Sequence, residues 1–332
     1  MRSACVLEWL RRRGPVHTLV LEQHLPVHSS SVAARLTRNV GRALRGIPPM
    51  VDRFFDPAVA APLQELLRQG PFDLAVFEQL WTAPWIERVR PHCAQAILYL
   101  HNCEAEFCLA MGGPLAGWFA HCADRWERRL IPQFDQVWDP VSVPSGLPLR
   151  DVPAGARSFD LAFSGTMAYP PNRDALDWLA TEIWPAIRAA RPNTSLVIVG
   201  KNPEFVPKRL SEDSNVTVTG PVEDALEWLG KTRIAVVPLR HGSGVSVKVA
   251  EAWQAGCALV ATPVGARGYA APEAMIQATS SEGISQVILD LLADAGRRER
   301  LAQAGRQHFE EHHSWPAVFA LLDQRLAQAV TA

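Results

Sequence analysis

Residues 236–256 read VVPLRHGSGVSVKVAEAWQAG, and this stretch carries the reading of the fold. An apolar run ends at Arg240, passes through Gly242-Ser243-Gly244, and opens a helix bearing Lys248 and Glu251. Strand, glycine turn and helix in that order are the repeating unit of an α/β protein. Glycines let a backbone approach a ligand closely, and the start of a helix presents N–H groups with no intrahelical partner. A diphosphate lying there would meet those donors, the positive end of the helix dipole, and the cations of Arg240 and Lys248. Lys248 and Glu251 are three residues apart and share one helix face. The lysine can hold a phosphate while the glutamate, ionised at neutral pH, accepts hydrogen bonds from ribose hydroxyls. The plainer alternative is a solvated helix face with two surface cations.

The same rhythm extends on both sides of this stretch. LAFSG (161–165), SLVIVG (195–200), VTVTG (216–220), IAVVPL (234–239) and ALVATP (258–263) are short apolar runs separated by helical segments. Upstream, VHTLVLEQ (16–23), LAVFEQ (74–79) and AILYLH (96–101) have the same character. Such runs suit parallel strands buried on both faces, so the expectation is two doubly wound parallel sheets. Ligands of open α/β sheets bind beyond the C-terminal ends of strands, and Gly165, Gly200, Gly220, Arg240 and His101 all fall at such ends. PLRDVPAGARS (148–158), rich in Pro and Gly, reads as the linker. PAVFALLDQRLAQAV (316–330) reads as an amphipathic C-terminal helix.

A chain of 332 residues accommodates two domains, each with its own core. A net charge of −1 supplies no general attraction to nucleic acid. The N-terminal apolar stretch is too short for a secretory signal, and no run reaches membrane-spanning length. Six scattered cysteines (5, 93, 103, 108, 122 and 257) form no CxxC pair and read as reduced thiols of a cytoplasmic protein. Cys103, Cys108, His121 and Cys122 match no zinc spacing, so no metal site is expected. Arg35, Arg38, Arg42 and Arg45 recur at helical spacing beside Leu36, Val40, Leu44 and Ile47. That is a basic amphipathic helix, suited to peripheral contact with an anionic membrane surface or to a solvated face packed on its domain.

Four segments in order resemble the donor-binding domain of retaining GT-B glycosyltransferases of family 4, the group 1 glycosyltransferases. LAFSGTMAYPPNRDALDWL (161–179) is similar to its first strand, loop and helix, and IWPAIRAARPNTSLVIVGKNP (183–203) to the next helix and strand. VTVTGPVEDALEWL (216–229) resembles the strand and loop that hold the base, and CALVATPVGARGY (257–269) continues the series. FDLAVFEQLW (72–81), ILYLHNCEAEF (97–107) and VPSGL (143–147) look like pieces of the N-terminal domain.

The resemblance implies a GT-B fold: two Rossmann-like doubly wound domains facing a cleft. It would place an acceptor-side domain at 1–148, a donor domain at 158–315, and a C-terminal helix (316–332) packing back on the first domain. It also implies that the chain opens inside the first helix, without the family's opening strand and glycine-rich loop. The donor would be a nucleoside diphosphate sugar of UDP or GDP type and the acceptor a glycan or lipid-linked hydroxyl. The reaction would be retaining hexosyl transfer, in cell-envelope or exopolysaccharide synthesis, at the inner face of the membrane. No D-x-D occurs, which agrees with leaving-group stabilisation by helix dipole and cations in place of metal. Glu251 would grip ribose, Arg240 and Lys248 would neutralise the diphosphate, and Gly242, Ser243 and Gly244 would supply N–H groups. Gly165, Thr166 and Lys201 would line the phosphates, Val222 the base, and His101 the donor sugar; Glu78 and Glu104 are candidates for acceptor hydroxyls or plain solvated carboxylates. Ser243 stands where many relatives carry a second, sugar-contacting glutamate. Two other readings remain open, a non-catalytic nucleotide-sugar binder or partner subunit, and a sugar-nucleotide epimerase of the same fold.

Overall fold

In the computed structural model, which describes residues 2–21, 32–54, 57–152 and 157–330, the chain divides into two compact units. Unit 1 comprises Met1–Val143 with Leu321–Ala332, and unit 2 is Pro144–Ala320.

Unit 2 runs β4 (Phe159–Ser164), α8 (Pro170–Trp178), α9 (Trp184–Ala190), β5 (Leu196–Val199), α10 (Lys208–Ser211), β6 (Val216–Val218), α11 (Ala225–Gly230) and β7 (Thr232–Val237). It continues with α12 (Val247–Gln254), β8 (Ala258–Ala261), β9 (Ile276–Gln277), α13 (Ser281–Ala293), α14 (Ala295–His312) and the start of α15 (Trp315–Val330). All six strands are parallel, in the order β6-β5-β4-β7-β8-β9. The five runs read from the sequence are five of these strands; β9, only two residues long, was too short to show a pattern.

Counting from β4, the spatial order is 3-2-1-4-5-6, so the winding direction reverses between β4 and β7. A doubly wound sheet opens its crevice at that reversal, outside the carboxyl ends of the strands. The core is continuous around Leu161, Phe163, Ile198, Val236, Trp253 and Phe309, all at most 2% exposed. Trp253 fastens α12 to it: the indole N–H donates to the Ala274 carbonyl at 2.9 Å, and Gly305 of α14 lies flat on the ring with no room for a Cβ. Where the linker re-enters, Arg157 donates to the carbonyls of Thr232 (2.6 Å) and Gly256 (2.9 Å).

Unit 1 contains α1 (Arg2–Arg11), α2 (Val32–Arg45), α3 (Pro49–Phe54), α4 (Ala60–Leu67), β1 (Phe72–Glu78), α5 (Ile86–Val89), β2 (Cys93–Tyr99), α6 (Glu104–Met111), α7 (Ala116–Leu130) and β3 (Gln136–Trp138). Its described sheet is β1-β2-β3, again parallel. Trp9 of α1 is fully buried and donates to Asp323 of α15 at 2.8 Å.

One expectation fails here, and another is met in part. Residues 16–21 of the expected strand VHTLVLEQ pair with nothing in a ladder, and Val20 is 77% exposed; the run's last two residues lie outside the described ones. An apolar run becomes a strand only where a neighbour supplies backbone partners. The basic helix forms as α2, with its arginines divided: Arg45 is 58% exposed, and Leu44 83%, but Arg42 is 1% exposed. Asp52 and Asn39 draw that guanidinium inward, at 2.7 and 3.1 Å.

Candidate functional site

The site in unit 2 is built at the β4/β7 reversal. β4 ends at Ser164, and Gly165 follows with φ +147°; β5 ends at Val199, and Gly200 follows with φ +139°. The two glycines pack back to back. The Gly165 N–H donates to the Val199 carbonyl at 2.9 Å, and the Gly165 carbonyl occupies the place a Gly200 Cβ would need. Any side chain at Gly200 would therefore collide with backbone as well as strain φ. One residue further on, the Met167 N–H donates to the Lys201 carbonyl at 2.9 Å, locking the two strand ends together.

Into this turn comes Lys248 from α12, eighty-odd residues away in sequence. Its ammonium lies against the Gly165 Cα, on the side where a Cβ would project, together with the Asn172 amide of α8. Nζ also stands 5.8 Å from the centre of the Phe163 ring. Asn172 is 3% exposed and donates to the Thr166 carbonyl at 2.8 Å, so the turn is stiffened from beneath. Lys248 and Glu251 are half-buried. Burial lowers the lysine pKa, with Glu251 opposing, and burial raises the glutamate pKa, with Lys248 opposing. Each holds the other's charge in a poorly hydrated place. The N-cap of α12, Ser246, makes no side-chain cap hydrogen bond, while its carbonyl accepts from the Val249 N–H at 3.3 Å.

That loop holds Gly242 (φ +149°) and Gly244 (φ +70°), both in backbone conformations that favour glycine. The Ser243 hydroxyl is buried beside the Tyr169 phenol, whose pKa burial raises and the serine lowers. Arg240, the cation expected at the diphosphate, is held by α8. Asp174 of α8 takes it in a two-pronged ion pair, with Nε to Oδ2 at 2.9 Å, and the guanidinium lies 5.3 Å from the Trp178 ring centre. His241 Nδ1 is 3.6 Å from the same carboxylate.

The structure thus brings together Gly165, Lys248, Glu251 and the α12 start, and ties Arg240 to α8. Thr166 and Lys201 are exposed at the ends of β4 and β5, and Val222 is half-buried against the core after β6, one strand further out. Asn172, Asp174, Trp178 and Tyr169 were not singled out in the sequence; Arg173, in sequence among them, lies over Phe205 at 5.0 Å. Arg267 was also missed: its Nη1 donates to the Gly242 carbonyl at 3.3 Å. The only available signal was the recurrence of polar residues in PPNRDAL and GARGY beside strand ends.

In unit 1, Glu78 ends β1 and His101 follows β2, with Nε2 to Oε2 at 3.9 Å. Burial raises the Glu78 pKa, against the Ser3 hydroxyl. Gln79 beside it has φ +74°, unusual for a residue with a side chain. Glu104 is not a solvated carboxylate: it is 4% exposed, and burial, then the neighbouring Glu127, raise its pKa to about 7. Among the described residues no three His, Cys, Asp or Glu side chains gather in a metal-binding group, Cys103, Cys108, His121 and Cys122 included.

Comparison with known proteins bears on this geometry. A family model described as "Glycosyl transferases group 1" matches residues 158–294. A GDP-mannose-dependent monoacylated alpha-(1-6)-phosphatidylinositol monomannoside mannosyltransferase of Corynebacterium glutamicum is 32% identical over 145 residues, 40% of this chain and 38% of the relative. An uncharacterized 44.6 kDa protein in the cps region of Klebsiella pneumoniae is 23% identical over 140 residues, 40% of this chain and 36% of that protein. The chain thus spans less than half the length of these curated relatives. Among solved structures, sucrose-phosphate synthase from Thermosynechococcus elongatus gives a TM-score of 0.61 at 15% identity, covering 93% of this chain and 83% of that one. Anabaena HepE in complex with UDP gives 0.62 at 12% identity, covering 82% of both chains. At these identities the likeness concerns the fold, which is the α/β fold with parallel sheets expected from the sequence.

Proposed function

We propose, on the premise that residues 158–294 belong to the group 1 glycosyl transferases, that this chain binds a nucleoside diphosphate sugar in unit 2 and transfers its hexosyl group to an acceptor hydroxyl. One observation carries the reading: Lys248 reaches across α12 to the Gly165 turn, with Glu251 one helical turn behind it. That pair gives a cation at a glycine-lined strand end and a carboxylate set back by about 5 Å, one turn of helix. The spacing suits a diphosphate followed by a ribose whose hydroxyls donate to Glu251.

In this reading the α12 first turn, the Gly242–Gly244 loop and Lys248 stabilise the departing diphosphate, so catalysis is positioning plus fixed electrostatics. The buried lysine is best charged when a diphosphate replaces its lost hydration, so ligand binding and Lys248 ionisation favour each other. Arg240, in the loop after β7, adds its charge to the diphosphate while Asp174 and Trp178 of α8 hold its guanidinium. Thr166 and Lys201 border the phosphates and Val222 lies against the base; His101 is the catalytic candidate of unit 1. UDP and GDP both remain as donor nucleotide, transfer proceeds with retention, and the product is an envelope or exopolysaccharide glycan.

The test is a panel of radiolabelled UDP- and GDP-hexoses, with transfer and hydrolysis both measured. Turnover supports the proposal. Binding without turnover supports a nucleotide-sugar binder. Release of nucleoside diphosphate with an epimerised free sugar, without acceptor, identifies an epimerase.

A further inference from the structure

The turn after β8 meets the Gly242–Gly244 loop and the start of α12 with successive residues. Arg267 donates from Nη1 to the Gly242 carbonyl at 3.3 Å, Gly268 lies flat on Val245, and the Tyr269 hydroxyl donates to the Ser246 carbonyl at 2.8 Å. The Val245 side chain fills the place of a Gly268 Cβ, and φ there is +84°, so a glycine is what lets the turn come this close.

The turn is in its own right fixed to the end of β7. Thr262 Oγ1 donates to the Leu239 carbonyl and accepts from the Gly265 N–H at 3.0 Å, and the Val237 carbonyl fills the place of a Gly265 Cβ. Tyr269 is 7% exposed; its ring stands edge-on to Trp253 at 5.2 Å and lies 5.0 Å from the His313 ring. Packed rings leave the phenol little freedom, and a buried hydroxyl needs a partner. The Ser246 carbonyl is that partner.

What the phenol holds matters for the site. Ser246 is the N-cap of α12 and Val247 its first residue. The Ser246 C=O and the Val247 N–H belong to one peptide unit, planar and trans, so they point in opposite directions. A donor that fixes the carbonyl therefore fixes the N–H as well. The Val247 N–H, at the first position of the helix, has no intrahelical acceptor and aims out of the N-terminal end. Its neighbour Lys248 carries the ammonium that reaches the Gly165 turn. The same relation joins the Gly242 carbonyl, held by Arg267, to the Ser243 N–H. At the far end of α12, Trp253 is tied to the Ala274 carbonyl, so Lys248 and Glu251 sit between two fixed points.

We infer that Tyr269 is a positioning residue of the diphosphate site: by holding the Ser246–Val247 peptide plane it aims the Val247 N–H at the phosphoryl oxygens, without touching the ligand. This rests on the reading of unit 2 as a nucleoside diphosphate site. A donor aimed in advance has no reorganisation left to make when the charge arrives, and that is where its strength comes from.

The experiment is calorimetry of the whole chain with UDP, with GDP and with pyrophosphate, on wild type, Tyr269→Phe and Arg157→Met. Phenylalanine keeps the ring against Trp253 and His313 and removes only the hydroxyl, so the melting midpoint should fall by about 2–4 °C. Tyr269→Phe is expected to weaken the nucleoside diphosphate and pyrophosphate by the same factor, roughly three- to tenfold, because the donor it misaims serves the phosphates and not the ribose. Arg157→Met loosens unit 2 at the opposite end of β7, on the Thr232 carbonyl, and should bind both ligands as wild type does. The inference is overturned if Tyr269→Phe binds as tightly as wild type, if it weakens the nucleoside diphosphate alone, or if Arg157→Met weakens both ligands as much, which would make the effect one of general loosening. Wild type that binds neither nucleotide nor pyrophosphate would instead sink the nucleotide reading of unit 2, and this inference with it.

Discussion

Replacing Glu251 with glutamine removes one charge and leaves the volume of α12's inner face intact. In the free protein the cost is moderate, because Lys248 is half-buried and can give up its proton, burial having already lowered its pKa. In the nucleotide complex the cost is larger. A carboxylate accepting from two ribose hydroxyls makes hydrogen bonds worth about 1.5–3 kcal/mol each, and an amide keeps only one good acceptor. The expected loss is about 1.5–3 kcal/mol, so GDP or UDP should bind roughly 10- to 100-fold more weakly. Pyrophosphate has no ribose. Removing the carboxylate takes a negative charge away from it, worth about 1 kcal/mol at 8 Å in a half-screened site, so its affinity should hold or rise up to about fivefold. Calorimetry with the nucleoside diphosphate and with pyrophosphate, on wild type and Glu251→Gln, separates the two contributions. Equal weakening of both ligands, or of neither, would refute the ribose assignment.

Gly200→Ala should destabilise the chain by about 2–4 kcal/mol in chemical denaturation, because φ is +139° and the Gly165 carbonyl fills the Cβ position; wild-type stability would contradict the back-to-back packing. Arg157→Met should cost about 2 kcal/mol by stripping charged donors from the Thr232 and Gly256 carbonyls, read from the denaturation midpoint. The units should respond oppositely to acid. His313, 6% exposed, has its pKa lowered from 6.5 to about 3 by burial, then by His308 and His312, so below 6.5 only the unfolded chain takes up that proton. Unit 2 should therefore lose about 1.4 kcal/mol per pH unit from about 6 toward 3, and His313→Gln should flatten that slope. Glu104, raised from 4.5 to about 7, keeps its proton when folded, so unit 1 should gain a similar amount per unit as pH falls from 7 to 4.5, and Glu104→Gln should remove the gain. Hydrogen exchange at pH 7 and pH 5 reads both units, and parallel shifts would contradict the assignment.

Strands and their ends were legible in unit 2 because both depend on neighbours in sequence. A run such as LAFSG needs burial on both faces, and its closing glycine is required where β4 and β5 come within backbone contact. Lys248 and Glu251 were legible for the same reason: a three-residue offset places them on one face of α12 whatever surrounds it. VHTLVLEQ has an equally apolar pattern, yet its described residues form no strand, since pairing depends on a partner that a local pattern cannot name.

From the sequence alone came the order of strands and turns, the glycines at their ends, and the cation and carboxylate on one helix, all set by periodicity and backbone sterics over a few residues. Tertiary structure alone decided which charges are spoken for. Asp174 claims Arg240 from 66 residues away, Asp52 draws Arg42 out of solvent, and Glu127 joins Glu104 in the interior. The reason is physical: a charge's energy depends on its distance to partners and on the water around it, and both are fixed only when distant segments meet.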